Sequence, residues 1–114
     1  MDSCFLPEGV YHLRILRPKG IPEYQITFEL IKGVYQAQVI TEHGAQRVQS
    51  LTLGHKKISW QQFGGTLGKE CFQYEMEIFP EGLLMGSCRR IDVPEEEAPL
   101  SPVIAETEKG LGPI

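Results

Sequence analysis

At 114 residues the chain is long enough for one domain with a modest core and too short for two. Its 41% apolar and 23% charged residues suit a folded globular chain, and no apolar run approaches the roughly 18 residues of a membrane span. The formal net charge of −4 is unevenly placed. Residues 92–114 carry Asp92, Glu95, Glu96, Glu97, Glu106 and Glu108 against Lys109 alone, so the first 91 residues are close to neutral, and no basic patch invites nucleic acid.

The N-terminus, Met1-Asp2-Ser3-Cys4-Phe5, has no basic stretch leading into an apolar one, so no secretory signal is expected. Cys4, Cys71 and Cys88 are odd in number and show no CxxC spacing, which points to free thiols in a reducing compartment. A cytoplasmic, bacterial protein is the expectation. The chain has no asparagine, so its tight turns must draw on Gly, Asp and Pro.

In chain order, the pattern predicts strands near residues 9–17, 23–32, 34–42, 46–53, 57–62, 71–79 and 83–91, with turn signals every 8 to 12 residues. No segment holds a helical period over three turns. A two-residue loop at Lys32-Gly33 sets Ile31 against Val34, Leu30 against Tyr35, Phe28 against Ala37 and Ile26 against Val39. All these pairs are apolar, and a one-residue slip would destroy the match. A second turn at His43-Gly44 would set Glu42 against Ala45 and Val39 against Val48. The apolar phase then shifts to Leu51 and Leu53, which calls for a β-bulge near Gln49-Ser50. The turn around Gly54-His55-Lys56-Lys57 places Leu53 against Ile58 and Leu51 against Trp60. The stretch Gly64-Gly65 to Glu70 reads as a flap. Pro80-Glu81-Gly82 then sets Ile78 against Leu84, Met76 against Gly86, Tyr74 against Cys88 and Phe72 against Arg90.

Half of the eight prolines and most of the acid excess lie beyond residue 91. Residues 1–92 therefore read as the folded domain and 93–114 as a flexible or loosely docked acidic tail, in which Val103-Ile104 could add a short edge pairing. The fold class expected is all-β: an antiparallel up-and-down meander of about seven strands closing into a small barrel.

The ends of that meander carry a resemblance. Gly9-Val10-Tyr11 opens the first strand and Arg89-Arg90 closes the last one. This resembles the calycin superfamily, whose members open on Gly-x-Trp and end on a basic residue packed across that ring, and in particular small bacterial lipocalin-like domains. Here Tyr11 stands for the tryptophan and Arg90 for the base. The resemblance implies a small ligand in the barrel and a cation–π lid of Arg90 over Tyr11.

Among the inward positions the polar set is Tyr11, Tyr35, Trp60, Tyr74, Cys88 and Arg90, and these are the candidate ligand-binding residues. The alternative for all of them is a barrel filled by its own side chains. His12 lies on the outer face and His43 and His55 in turns at opposite ends, so no metal or acid–base cluster is expected. Cys71 falls on the outer face with Gln73 and Glu75, and Cys88 on the inner one, which rules out a disulfide between them. Glu29, Glu75 and Glu77 point outward. No catalytic residue, cofactor or metal is expected.

The function expected is noncatalytic binding of a small apolar or amphipathic ligand in the barrel interior. The alternative is a protein-interaction module with a filled barrel, homodimeric through exposed Val10, Leu16 and Ile40 or acting through the tail at 93–114. A small isomerase or cyclase on the barrel scaffold ranks last.

Overall fold

The computed structural model describes residues 9–17, 20, 22–41, 44–64, 68–80 and 82–107. Nine strands follow one another: β1 (Gly9–Ile15), β2 (Glu23–Ile31), β3 (Val34–Thr41), β4 (Gly44–Gln46), β5 (Val48–Gly54), β6 (Lys57–Gly64), β7 (Glu70–Phe79), β8 (Leu83–Arg90) and β9 (Ser101–Thr107), with one 3-10 turn at Glu95–Glu97 before the last. All belong to one antiparallel sheet in the order β4-β3-β2-β1-β9-β8-β7-β6-β5. Its two edge strands, β4 and β5, are separated in the chain by Arg47 alone. The sheet therefore curls round to meet itself as a nearly closed barrel. The meander expected from the sequence is present, with nine strands in place of seven.

Two corrections account for the difference. The expected strand at 46–53 is bent into two, β4 laddered to β3 and β5 laddered to β6. The expected flexible tail at 93–114 contains β9, whose residues pair with β1 on one side and β8 on the other. Val103 and Ala105 are buried in the core beside Leu13 and Leu84. The outward positions between them hold Ile104 and Glu106, and Arg14 bonds Glu106 across β1 and β9 at 2.9 Å. An acidic, proline-containing composition thus conceals a strand of ordinary period-two alternation.

Elsewhere the registers follow from alternation. In the β2–β3 hairpin Ile31 faces Val34, Leu30 faces Tyr35, Phe28 faces Ala37 and Ile26 faces Val39. In the β7–β8 hairpin Phe72 faces Arg90, Tyr74 faces Cys88, Met76 faces Gly86 and Ile78 faces Leu84. Gly82 takes φ +75° in that turn, a conformation open chiefly to glycine. Gly86 is required by space: a β-carbon there would run into the backbone of Glu75 and Met76. Leu53 faces Ile58 as expected, and the pairing slips between Gln49 and Thr52, so Ser50 and Leu51 share the single partner Trp60. Ser50 has φ +56° at this bulge.

The β3–β4 turn differs from expectation. Thr41 faces Gly44, Ile40 faces Ala45 and Val39 faces Gln46, two residues off the anticipated Val39–Val48 pairing. Glu42 and His43 lie outside the described residues, as do residues 65–67 of the expected flap. The shift sets Gln46 opposite Val39, where Val48 was anticipated, and the seam between β4 and β6 is consequently polar. Gln62, only 2% exposed, donates from Nε2 to Gln46 Oε1 at 2.8 Å and accepts the Trp60 indole N–H at 3.3 Å. A buried indole N–H and a buried amide thus satisfy one another where the backbone ladder changes partners.

The core is aromatic along its length. Tyr11 meets Phe28 edge-on at 5.3 Å, Phe28 meets Trp60 edge-on at 5.8 Å, and Trp60 stacks on Tyr74 at 5.0 Å and 7°. All four rings are buried.

Replacing Gln62 by alanine strands the Trp60 N–H inside the barrel and takes the donor from the half-buried Gln46 amide oxygen. Urea denaturation is expected to show a loss of about 1–3 kcal/mol, with the Trp60 fluorescence maximum still blue-shifted in the folded variant.

Candidate ligand site at the barrel end

The six candidate residues do not form one cavity. Tyr11, Trp60, Tyr74 and Cys88 are buried in the core cluster, and Tyr35 packs half-buried against it. Three of these rings are part of the aromatic column and fill the middle of the barrel. Arg90 lies apart from Tyr11. The β1–β9 and β8–β9 registers put Tyr11 beside Thr107, at one end of β9, and Cys88 beside Ser101, at the other. Arg90 is two residues past Cys88, so it cannot lie over Tyr11. It instead grips Asp92 with two hydrogen bonds, Nε to Oδ1 at 3.1 Å and NH2 to Oδ2 at 2.6 Å. The expected cation–π lid is absent, and the cation–π contact found is Arg47 over Phe63 at 4.0 Å.

Around Arg90 a different site is assembled. Past β8 the chain is turned by Asp92, whose Oδ1 also accepts the backbone N–H of Cys71 at 3.2 Å. It then crosses the barrel end through the 3-10 turn, tucks in Ala98, and enters β9 at Ser101. From the opposite side the chain leaves β1 through Leu16, whose N–H bonds Pro102 O at 2.9 Å, and reaches Arg17. Between these segments lies a pocket of about 510 Å³. Phe72, Cys88, Ala98 and Pro99 give it apolar surface, and Arg17, Arg89, Arg90, Glu70 and Glu97 give it charge. That volume lies in the ordinary range for small-ligand sites. Another concavity, of about 460 Å³, borders the β5–β6 turn and the middle of β7 and β8, with Lys57, Glu75, Glu77 and Met85 on its walls.

The floor of the barrel-end pocket is held neutral. Burial pushes the Tyr74 hydroxyl well above its usual range, and the neighbouring Cys88 adds to the rise. Burial likewise raises the Cys88 thiol, although nearby Arg17 and Tyr74 pull the other way. At the far end of the column Tyr11 is pushed up to about 12, by burial first and by Tyr35 second. Neutral Cys88 and Tyr74 are poor nucleophiles and good walls. Cys71 is buried despite its outward parity, close to Asp92 and Arg47, and burial raises its thiol too. Both cysteines are free. Among the described residues no group of three or more His, Cys, Asp or Glu could hold a metal, and no helix is long and apolar enough to cross a membrane.

Arg17 and the connection from Asp92 to Pro99 are the parts of this site that sequence reasoning missed. Arg17 precedes Pro18-Lys19-Gly20 and read as the frayed end of a strand. The connection read as tail because the strand after it was not recognised as the closing one.

The molecule is thus an all-β protein of the nearly closed antiparallel barrel class, compatible in architecture with a calycin-like fold. No family model matches the chain, and searches of curated proteins and of solved structures return no match either.

The Arg90–Asp92 clasp makes a pH prediction. The Arg90 hydrogen bonds hold the Asp92 carboxyl at about 2, below its ordinary value of 3.8. A carboxyl lowered on folding stabilises the folded state fully above its unfolded value and loses that effect as pH falls through the folded value. Asp92→Asn is therefore expected to melt at a lower temperature than the wild type at pH 7. The two melting curves should converge as pH drops from about 3.8 to about 2, read by circular dichroism, with an NMR titration placing the Asp92 midpoint.

Proposed function

We propose that this protein is a noncatalytic binding module of calycin-like architecture that takes a small amphipathic ligand at the end of its barrel. The observation that carries the reading is the pocket of about 510 Å³ beneath the 92–99 connection, where Phe72 and Cys88 meet the guanidinium groups of Arg17 and Arg90. A concave apolar surface with a few convergent polar groups suits a ligand with one polar end. The aromatic column supports placing the ligand at the end, because rings at 5.0–5.8 Å spacing leave the barrel middle to protein side chains. Protonated Cys88 and Tyr74 support binding without covalent chemistry. Free Cys71 and Cys88 fit a reducing, cytoplasmic setting.

A second reading, a homodimer formed through an exposed apolar surface, is favoured by the tip of the β2–β3 hairpin, where Leu30, Ile31 and Val34 are 46%, 40% and 60% exposed. Val10, Leu16 and Ile40 are also exposed.

Titration with the neutral dye Nile red separates the two. Saturable one-to-one binding is expected, weakened roughly tenfold by Phe72→Ser, a change of about 1.4 kcal/mol, and unchanged by Val34→Ser. A well-folded protein that binds no dye and elutes at twice its mass would overturn the ligand reading in favour of the dimer.

A further inference from the structure

The charges of the barrel-end pocket are not matched where they stand. Arg89 is answered by Glu95 at 3.2 Å, and Arg90 by both oxygens of Asp92. Arg17 has no carboxylate partner among the described residues. It lines the pocket with Cys88, close enough to act on the Cys88 thiol and on Tyr74. Glu70 and Glu97 line the same pocket and make no ion pair among the described residues. Both act on Arg90, which Asp92 already occupies. The pocket thus offers one unanswered cation on the β1 side and two unanswered carboxylates on the β7 and 3-10 side, with Phe72 as an apolar surface.

This arrangement discriminates between ligand charges. A charge that the ligand covers must find an opposite charge, or binding is weakened. A simple carboxylate could meet Arg17, but it would add a negative charge to a pocket that already holds two free carboxylates. A simple amine could meet Glu97 and leave Arg17 to be covered without a partner. A molecule with one of each, on a short apolar body, answers both sides at once.

We propose that the pocket takes an amphoteric ligand of the apolar amino-acid type, its carboxylate on Arg17, its ammonium toward Glu70 and Glu97, and its apolar body against Phe72. This rests on the reading of the barrel end as a ligand site and names the chemical class of the ligand. Arg17 reads the carboxylate as a planar fork, which a lysine would not reproduce.

Calorimetry with three compounds of one size tests it: L-phenylalanine, 3-phenylpropionate lacking the amine, and phenethylamine lacking the acid. L-Phenylalanine is expected to bind one-to-one, roughly tenfold or more tighter than either relative, as the loss of a charge-assisted contact implies. Arg17→Met should bring its affinity down to that of phenethylamine, and Glu97→Gln should bring it toward that of 3-phenylpropionate. Glu97 is exposed, so that variant is expected to fold even if Arg17→Met does not. Arg17→Lys supplies a further folded comparison. Equal binding of 3-phenylpropionate and L-phenylalanine would overturn the amphoteric assignment. So would the absence of L-phenylalanine binding by a protein that still binds Nile red, and the ligand-site reading would then stand alone. A protein that binds neither loses both.

Discussion

β1 and β8 run parallel to one another with β9 between them, laddered to each. Strands in a sheet stand about 4.8 Å apart, so without β9 these two would face each other across a gap of about 10 Å that no backbone hydrogen bond spans. β9 fills the gap and turns Val103, Ala105 and Thr107 into the interior, all of them buried. β1 itself buries only Tyr11, Leu13 and Ile15, and β9 only these three. An open seam there would wet the aromatic column and expose two unpaired edges at once. The closure comes from the end of the described chain, so the core is complete only when β9 is in place.

The opposite side of the barrel closes by other means. β4 and β5 are one bent strand in effect, and the sheet changes partner at Arg47. Backbone pairing is thin there, with three pairs between β3 and β4. Side chains carry the join instead, through Gln46, Gln62 and the Trp60 indole. The same indole stacks on Tyr74, so the polar latch and the aromatic column share a residue. Fixing Trp60 fixes the register of the column from the seam to the pocket floor.

These features divide by how local their signals are. The β2–β3, β5–β6 and β7–β8 registers were legible because period-two alternation around a short turn allows one apolar match and penalises a slip by one residue. The bulge was legible as a change of phase. β9 was legible only as a short edge pairing at Val103-Ile104, not as the closing strand: its alternation is confined to Val103, Ala105 and Thr107, it sits among prolines and glutamates, and its partner β1 lies about 90 residues earlier. Arg90 was misplaced for the same reason. Taking β8 as the last strand put its terminal arginine in the position of a closing residue, whereas the closing strand came later. Tyr74 and Cys88 were read as inward by parity and both are buried; Cys88 lines the barrel-end pocket, whereas Tyr74 belongs to the core. Gln62 shares the parity of Ile58 and Trp60 and was available to the same reasoning, but a glutamine does not announce itself as interior.

A filled barrel and a binding protein are compatible because the two tasks fall on different parts of the chain. The column makes the middle dense, which suits a core. The barrel end is walled by the connection from Asp92 to Pro99, which leaves β8 under the hold of Asp92 and delivers the chain into β9. A ligand seated beneath that connection touches residues that are correctly placed only when β9 is docked. On the proposed reading it would bind the closed barrel in preference to any form with β9 released, and by mass action it would stabilise closure in proportion to the logarithm of its concentration over its dissociation constant. Occupancy of the pocket and integrity of the barrel would in this way be a single equilibrium, with the segment between residues 91 and 100 as the element they share.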